Sequence, residues 1–154
     1  MSGKVKEFET LYESYHALVY RIAYIFTRNA ADSEDITQEL FVKLCYNSPD
    51  FNDERHERAW IIKVTQNLAK NYIKKAYKQR EVGDEFIENH PAMSMPDSNL
   101  PLILALPEKY KMVILLYYYY GYSVKEISQY LKITPSNVKA RLMRAREQLK
   151  DDWR

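Results

Sequence analysis

Apolar residues recur near a 3.6-residue period along most of the chain, which predicts helices and little else. From Phe8 to Phe26 they fall at Phe8, Leu11, Tyr12, Tyr15, Leu18, Val19, Ile22, Ala23 and Phe26, one buried stripe of a long amphipathic helix. Asn29 to Ala31 break the pattern. Asp32 is expected to cap a second helix, whose early acids suit the positive end of the helix dipole. Turn formers at Asn47 to Asp53 separate it from a third helix, Glu54 to about Tyr77. There Ile61, Val64, Leu68 and Tyr72 form the expected core stripe. Lys63, Asn67, Lys70, Lys74 and Tyr77 lie opposite, and Trp60 borders that polar face.

Residues 81–100, EVGDEFIENHPAMSMPDSNL, carry five acids, two prolines and no Lys or Arg, the composition of an extended, self-repelling linker. A short apolar segment, Leu100 to Leu106, leads to Pro107. That proline starts a helix from Glu108 to about Tyr120, which Gly121 is placed to end in the left-handed conformation. Four successive tyrosines, Tyr117–Tyr120, sample every face of a helix, so some are expected in the core and others outside. Residues 123–149 then read as two helices joined by a three-residue turn. Ser123 and Glu126 form a capping box, Thr134 caps the second helix, and Pro135 takes its first position. Val138, Leu142, Ala145 and Leu149 share one face; Ser136, Ala140 and Arg144 share the opposite one. Small side chains near the helix start, with an arginine one turn on, suit a DNA major groove. The pattern is a helix-turn-helix.

The fold class is therefore all-α: two small helical domains, residues 1–80 and 101–154, joined by a flexible acidic linker at 81–100. Hydrophobic residues at 46% and charged residues at 29% can support cores in both. The formal net charge of +2 hides a segregation along the chain. Residues 30–39 hold four acids and no base, whereas residues 59–80 hold six Lys or Arg and no acid, which suggests different partners for different surfaces. Capping alone explains acids in a first turn, but not the polar positions Gln38 and Glu39 further on.

Several classes are disfavoured. One cysteine, Cys45, cannot form an internal disulfide framework, and its expected role is packing. His16, His56 and His90 match no metal-ligand spacing, and there is no phosphate loop or nucleophile elbow. No enzyme activity, metal or cofactor is expected. Without a basic leader, an apolar h-region or a membrane-spanning run, the expected location is the cytoplasm.

Taken together, three blocks resemble the extracytoplasmic-function group of bacterial sigma factors. DSEDITQELFVKL (residues 32–44) is similar to the family segment that binds the clamp helices of RNA polymerase. ERAWIIKVTQNLAKNYIKK (residues 57–75) resembles the part that recognises and opens the upstream edge of the −10 element. LPEKYKMVILLYYYYGYSVKEISQYLKITPSNVKARLMRAREQL (residues 106–149) is similar to the −35-binding domain. A helix-turn-helix alone is weakly specific, but three blocks in this order are highly specific.

The resemblance implies core-polymerase contacts at Asp35, Gln38, Glu39 and Phe41. It implies −10 contacts at Asn67, Lys70 and Asn71, with Lys63, Lys74 and Lys75 available to phosphates and Trp60 beside them. The loop from Pro49 to Arg58 corresponds to one that helps receive a flipped base. Lys139, Ala140, Arg141 and Arg144 align with −35 readers, joined by Ser136 and Asn137 near the helix start. Core RNA polymerase and promoter DNA are the implied partners, with an anti-sigma protein as a further candidate. Two positions depart from the family pattern. Lys132 stands where the turn usually has glycine, which predicts a strained or altered backbone. Ala140 replaces a small polar residue, leaving van der Waals contact as its option. A stand-alone dimeric helix-turn-helix regulator would explain residues 123–149 but gives the acidic and basic helices no purpose. No appended regulatory domain is expected beyond Trp153.

Overall fold

A computed structural model describes residues 2–79 and 100–149, with side chains placed for 8–76 and 101–149; the expected linker (81–100), apart from Leu100, and the Tyr77 side chain lie outside the described residues. The chain divides into two compact units, Met1–Met93 and Ser94–Arg154. Every regular element described is helical.

The first unit contains α1 (Ser2–Thr27), α2 (Ala30–Asn47) and α3 (Glu54–Gln79). Both α2 and α3 pack on α1. The C-terminal half of α1 is consequently buried all round, through Ile22, Ala23, Tyr24, Ile25 and Phe26, rather than along one stripe. Only two residues separate α1 from α2. Arg28 adopts the left-handed conformation at φ 54° and its N–H returns to the Tyr24 carbonyl at 2.8 Å. Asn29, not Asp32, is the cap: its Oδ1 accepts the Asp32 N–H at 2.8 Å. Asp32 thus sits one turn inside the helix, which leaves its carboxylate for a different partner.

The inward face of α3 also differs from the expected stripe. Ile61, Ile62, Thr65 and Ala69 are buried, whereas Val64, Leu68 and Tyr72 are only half-buried. Two small residues produce this rotation. Thr65 satisfies its hydroxyl by donating to the Ile61 carbonyl at 2.6 Å, so it can be buried without an orphaned polar group. Ala69 adds a short side chain to the same inward face. A wheel that counts only large apolar residues misses both.

The second unit contains α4 (Leu100–Leu104), α5 (Glu108–Ile114), a π turn (Leu115–Tyr119), α6 (Val124–Leu131) and α7 (Pro135–Leu149). Residues 110–116 are all buried, Lys111 included. The helix expected to continue to Tyr120 changes to π geometry after Ile114, and none of the four tyrosines enters the core. Gly121 does take the left-handed conformation, at φ 70°.

The helix-turn-helix follows its local signals closely. The Ser123 N–H donates to Glu126 Oε1 at 2.8 Å, and the Glu126 N–H donates to Ser123 Oγ at 3.0 Å, a complete capping box. Thr134 Oγ1 accepts the Asn137 N–H at 3.1 Å at the start of α7. Lys132, in the turn, is left-handed at φ 60° and ψ 47°. Its N–H and that of Ile133 both return to the Ser128 carbonyl, the second at 3.1 Å, as in a Schellman closure. A lysine pays the Cβ crowding that glycine avoids there. Lys132→Gly should therefore stabilise this unit by about 1 kcal/mol, read as a higher thermal midpoint; an unchanged or lower midpoint would show that the turn is not strained.

Candidate functional site on three helix faces

The outward face of α2 carries Asp35, Gln38 and Glu39, all exposed. Val42 and Tyr46 extend it, 55% and 78% exposed. Phe41 does not belong to that face. It is 4% exposed, with the Tyr12 ring at 4.8 Å and the Phe8 ring at 6.1 Å, so its role is to seat α1 on α2.

Asp35 also accepts a bond that sequence spacing did not reveal. Tyr72 of α3 sends its hydroxyl between Asp32 Oδ1 at 3.1 Å and Asp35 Oδ2 at 3.2 Å. One phenol proton is thus shared by two carboxylates of the acidic helix. Burial, then the Asp32 charge and hydrogen bond, then those of Asp35, push the Tyr72 phenol up to about 12. At the other end of the unit, burial and a bond to Glu57 at 3.0 Å push the Tyr15 phenol upward as well. Among the described residues Gln38 and Glu39 make no side-chain hydrogen bond or ion pair. The α2 face therefore mixes a committed acid, Asp35, with a free acid and a free amide.

On α3 the residues Lys63, Asn67, Lys70, Asn71, Lys74 and Lys75 are all exposed. No acid occurs between residues 59 and 80 to neutralise them. Trp60 is half-buried, with Phe51 at 5.8 Å, tilted 64°. Phe51 in turn meets the ring of His56 edge-on at 5.3 Å. Asp53 Oδ1 accepts the His56 N–H at 2.9 Å and so caps α3, fixing the loop before it. The result is a cationic face with amide groups at its centre and a braced aromatic residue at its N-terminal end.

On α7 the division follows the sequence wheel. Val138, Leu142, Ala145 and Leu149 are buried. Ser136, Asn137, Lys139 and Arg144 are exposed, and Ala140 and Arg141 are half-buried. Arg146 is an additional exposed cation that carried no sequence signal of its own. Among the described residues no cluster of His, Cys, Asp or Glu is placed to hold a metal ion, and no helix is long and apolar enough to cross a membrane.

These faces fall within regions shared with known proteins. Residues 11–79 match the family described as Sigma-70 region 2, and residues 102–149 match Sigma-70, region 4. The ECF RNA polymerase sigma factor SigW of Bacillus subtilis is 29% identical over 99% of this chain and 91% of its own length. SigL of Mycobacterium tuberculosis, also an ECF RNA polymerase sigma factor, is 30% identical over 86% of this chain and 80% of its own. The fold is shared with the sigma factor RpoE solved with the anti-sigma factor NepR from Bartonella quintana. There the TM-score is 0.73 at 20% identity, covering 95% of this chain and 96% of that one. It is shared too with CnrH, solved in complex with the cytosolic domain of CnrY (TM-score 0.70, 22% identity, 97% and 89% covered). The chain belongs to the extracytoplasmic-function group of sigma-70 factors. Its place is in promoter-specific initiation of transcription by RNA polymerase.

The Tyr72 bond yields a stability prediction with a defined sign. A phenol whose folded pKa lies above its ordinary value of 10 stabilises the fold while protonated, and that contribution disappears as pH rises from 10 through about 12. Tyr72→Phe should cost about 1 kcal/mol at neutral pH and should lose less than the parent between pH 10 and 12. Urea titrations of the two proteins at several pH values check this; parallel pH profiles would mean that the hydroxyl contributes nothing.

Proposed function

We propose that the three faces are the three contacts of a promoter-specificity subunit. The α2 face docks on core RNA polymerase, α3 binds the −10 element as it opens, and α7 reads the −35 element in the major groove. In domain terms, residues 1–80 carry polymerase binding and −10 recognition, 81–100 form the linker, and 101–154 carry −35 recognition. The observation that supports this most is the segregation of charge by helix: exposed acids on α2, and an acid-free lysine and asparagine face on α3 of the same unit. A regulator that only bound duplex operators would use α7 and need neither.

Each face suits its task chemically. Glu39 and Asp35 lie one turn apart and can meet a basic partner together. Lysines on α3 supply salt-dependent phosphate attraction, while Asn67 and Asn71 can hydrogen-bond exposed bases and Trp60 can stack on one. Arg144 can donate two hydrogen bonds to a guanine, a contact that discriminates on the order of 1–3 kcal/mol against other bases. An anti-sigma protein is a further proposed partner, on the ground that a structure sharing this fold was solved with one.

Two substitutions separate docking from DNA recognition. Glu39→Lys tests docking without disturbing the Tyr72 bond, and should weaken association with core polymerase roughly tenfold, about 1.4 kcal/mol; undiminished affinity removes this face from the interface. Arg144→Ala should leave core binding intact and relax −35 preference by about 1–3 kcal/mol at one base pair. A promoter-library selection in which the variant keeps the parent's preference would assign the reading to another side chain.

A further inference from the structure

The tyrosine run after α5 has a definite geometry. The Tyr120 N–H bonds the Leu115 carbonyl at 3.2 Å, and the Tyr122 N–H bonds the Leu116 carbonyl at 3.0 Å. This π turn takes more residues per turn than an α-helix, and such turns recur at functional positions. Here Tyr117 and Tyr118 both lie beside Arg146 of α7. Arg146 Nε–H donates to the Tyr118 hydroxyl at 2.6 Å. Its guanidinium carbon lies 5.7 Å from the Tyr118 ring centre and 6.0 Å from that of Tyr117. The two rings meet edge to face at 5.0 Å, so the pair forms a right-angled seat for the cation. Tyr118 is nevertheless 47% exposed, and Arg146 is exposed too.

A surface arginine held this way has already given up much of the rotamer freedom of a free side chain, so less is lost when it meets a partner. The Tyr118 bond occupies Nε only. Among the described residues no carboxylate pairs with Arg146 and no other hydrogen bond to it occurs, leaving its two terminal amino groups for an external acceptor. Lys139 lies seven residues earlier, two full turns, so the two cations share a flank of α7 about 10 Å apart along its axis. That flank is roughly 100° round from the line of Ser136, Ala140 and Arg144. A helix whose tip face meets base edges in a major groove turns its flanks toward the strand backbones.

We propose that Arg146 and Lys139 form a phosphate-binding site for one DNA strand, and that Tyr118 is a positioning residue holding the Arg146 fork in place. The site rests on the reading that α7 enters the −35 groove, and it deepens that reading by adding a sequence-independent grip beside the base contacts. A pre-ordered guanidinium meets a phosphate with two parallel hydrogen bonds and loses little freedom on binding.

The test is the salt dependence of promoter binding by holoenzyme reconstituted from the full chain and core polymerase, on fragments with the preferred or a scrambled −35 element. Arg146→Ala should make the slope of log K against log salt shallower by about 0.9, the value for one lost phosphate contact. The loss of affinity should be equal on both fragments. Tyr118→Phe keeps both rings and should weaken binding about three- to tenfold, again equally on both, with no further effect when Arg146 is already Ala. If Arg146→Ala retains the parental slope while scrambling −35 still weakens binding, the phosphate site is wrong and the −35 reading stands. If scrambling has no effect on the parent, both fall. A lowered melting temperature in Tyr118→Phe with unchanged DNA affinity would make the tyrosine a structural brace only, and would overturn its positioning role.

Discussion

Each unit is organised by a helix segment that is buried on nearly every side. In the first it is the end of α1, Ile22 to Phe26; in the second it is Tyr110 to Leu116. Helices tolerate this because their backbone groups are satisfied internally, whatever surrounds them. Burying one Ile or Leu contributes about 1.5–3 kcal/mol, more than a single cap or exposed ion pair. The surrounding helices therefore rotate to cover that central segment, and their polar residues are left facing outward in blocks. The charged faces of α2, α3 and α7 are a consequence of that covering. The proposed contacts use surfaces that packing has already separated.

The separation is not complete, and the exception is informative. Tyr72 leaves the side of α3 to share its proton with Asp32 and Asp35, acids of the helix proposed to dock on polymerase. α2 and α3 are thus joined by a bond whose acceptors lie at the edge of the face proposed to dock. A shift of α2 would be felt at Tyr72, five residues from Asn67. The corresponding link in the second unit is Tyr118 to Arg146, which joins the π turn to the recognition helix. In both units a tyrosine hydroxyl connects a peripheral helix to its neighbour at the margin of a charged face.

How much was legible in advance depended on how local the determinant was. The helix-turn-helix was legible almost residue by residue, since its capping box, its Thr134 cap and the period of Val138, Leu142, Ala145 and Leu149 are all short-range. The exposed positions on α3 were legible for the same reason. Its buried stripe was displaced because Thr65 and Ala69 look unremarkable in a wheel weighted by large apolar groups, yet pack closest. Asn29 took the cap expected of Asp32 because Arg28 could turn left-handed and shorten the connection. Phe41 carried the family's contact pattern but is held by Tyr12 and Phe8, partners that lie a helix away in sequence. The tyrosine run could not be placed from a regular wheel, because the π turn replaces the regular helix there.

Permanganate mapping of unpaired thymines, on a promoter fragment incubated with this chain and core RNA polymerase, tests most directly whether separate faces dock, read and open. Reactive thymines should appear in the −10 element only when chain, core and DNA are all present, and neither protein alone should open the duplex. A protected palindrome produced by the chain alone, with no reactive thymine when core is added, would contradict the assignment of α2 and α3 and leave a duplex-binding regulator in its place.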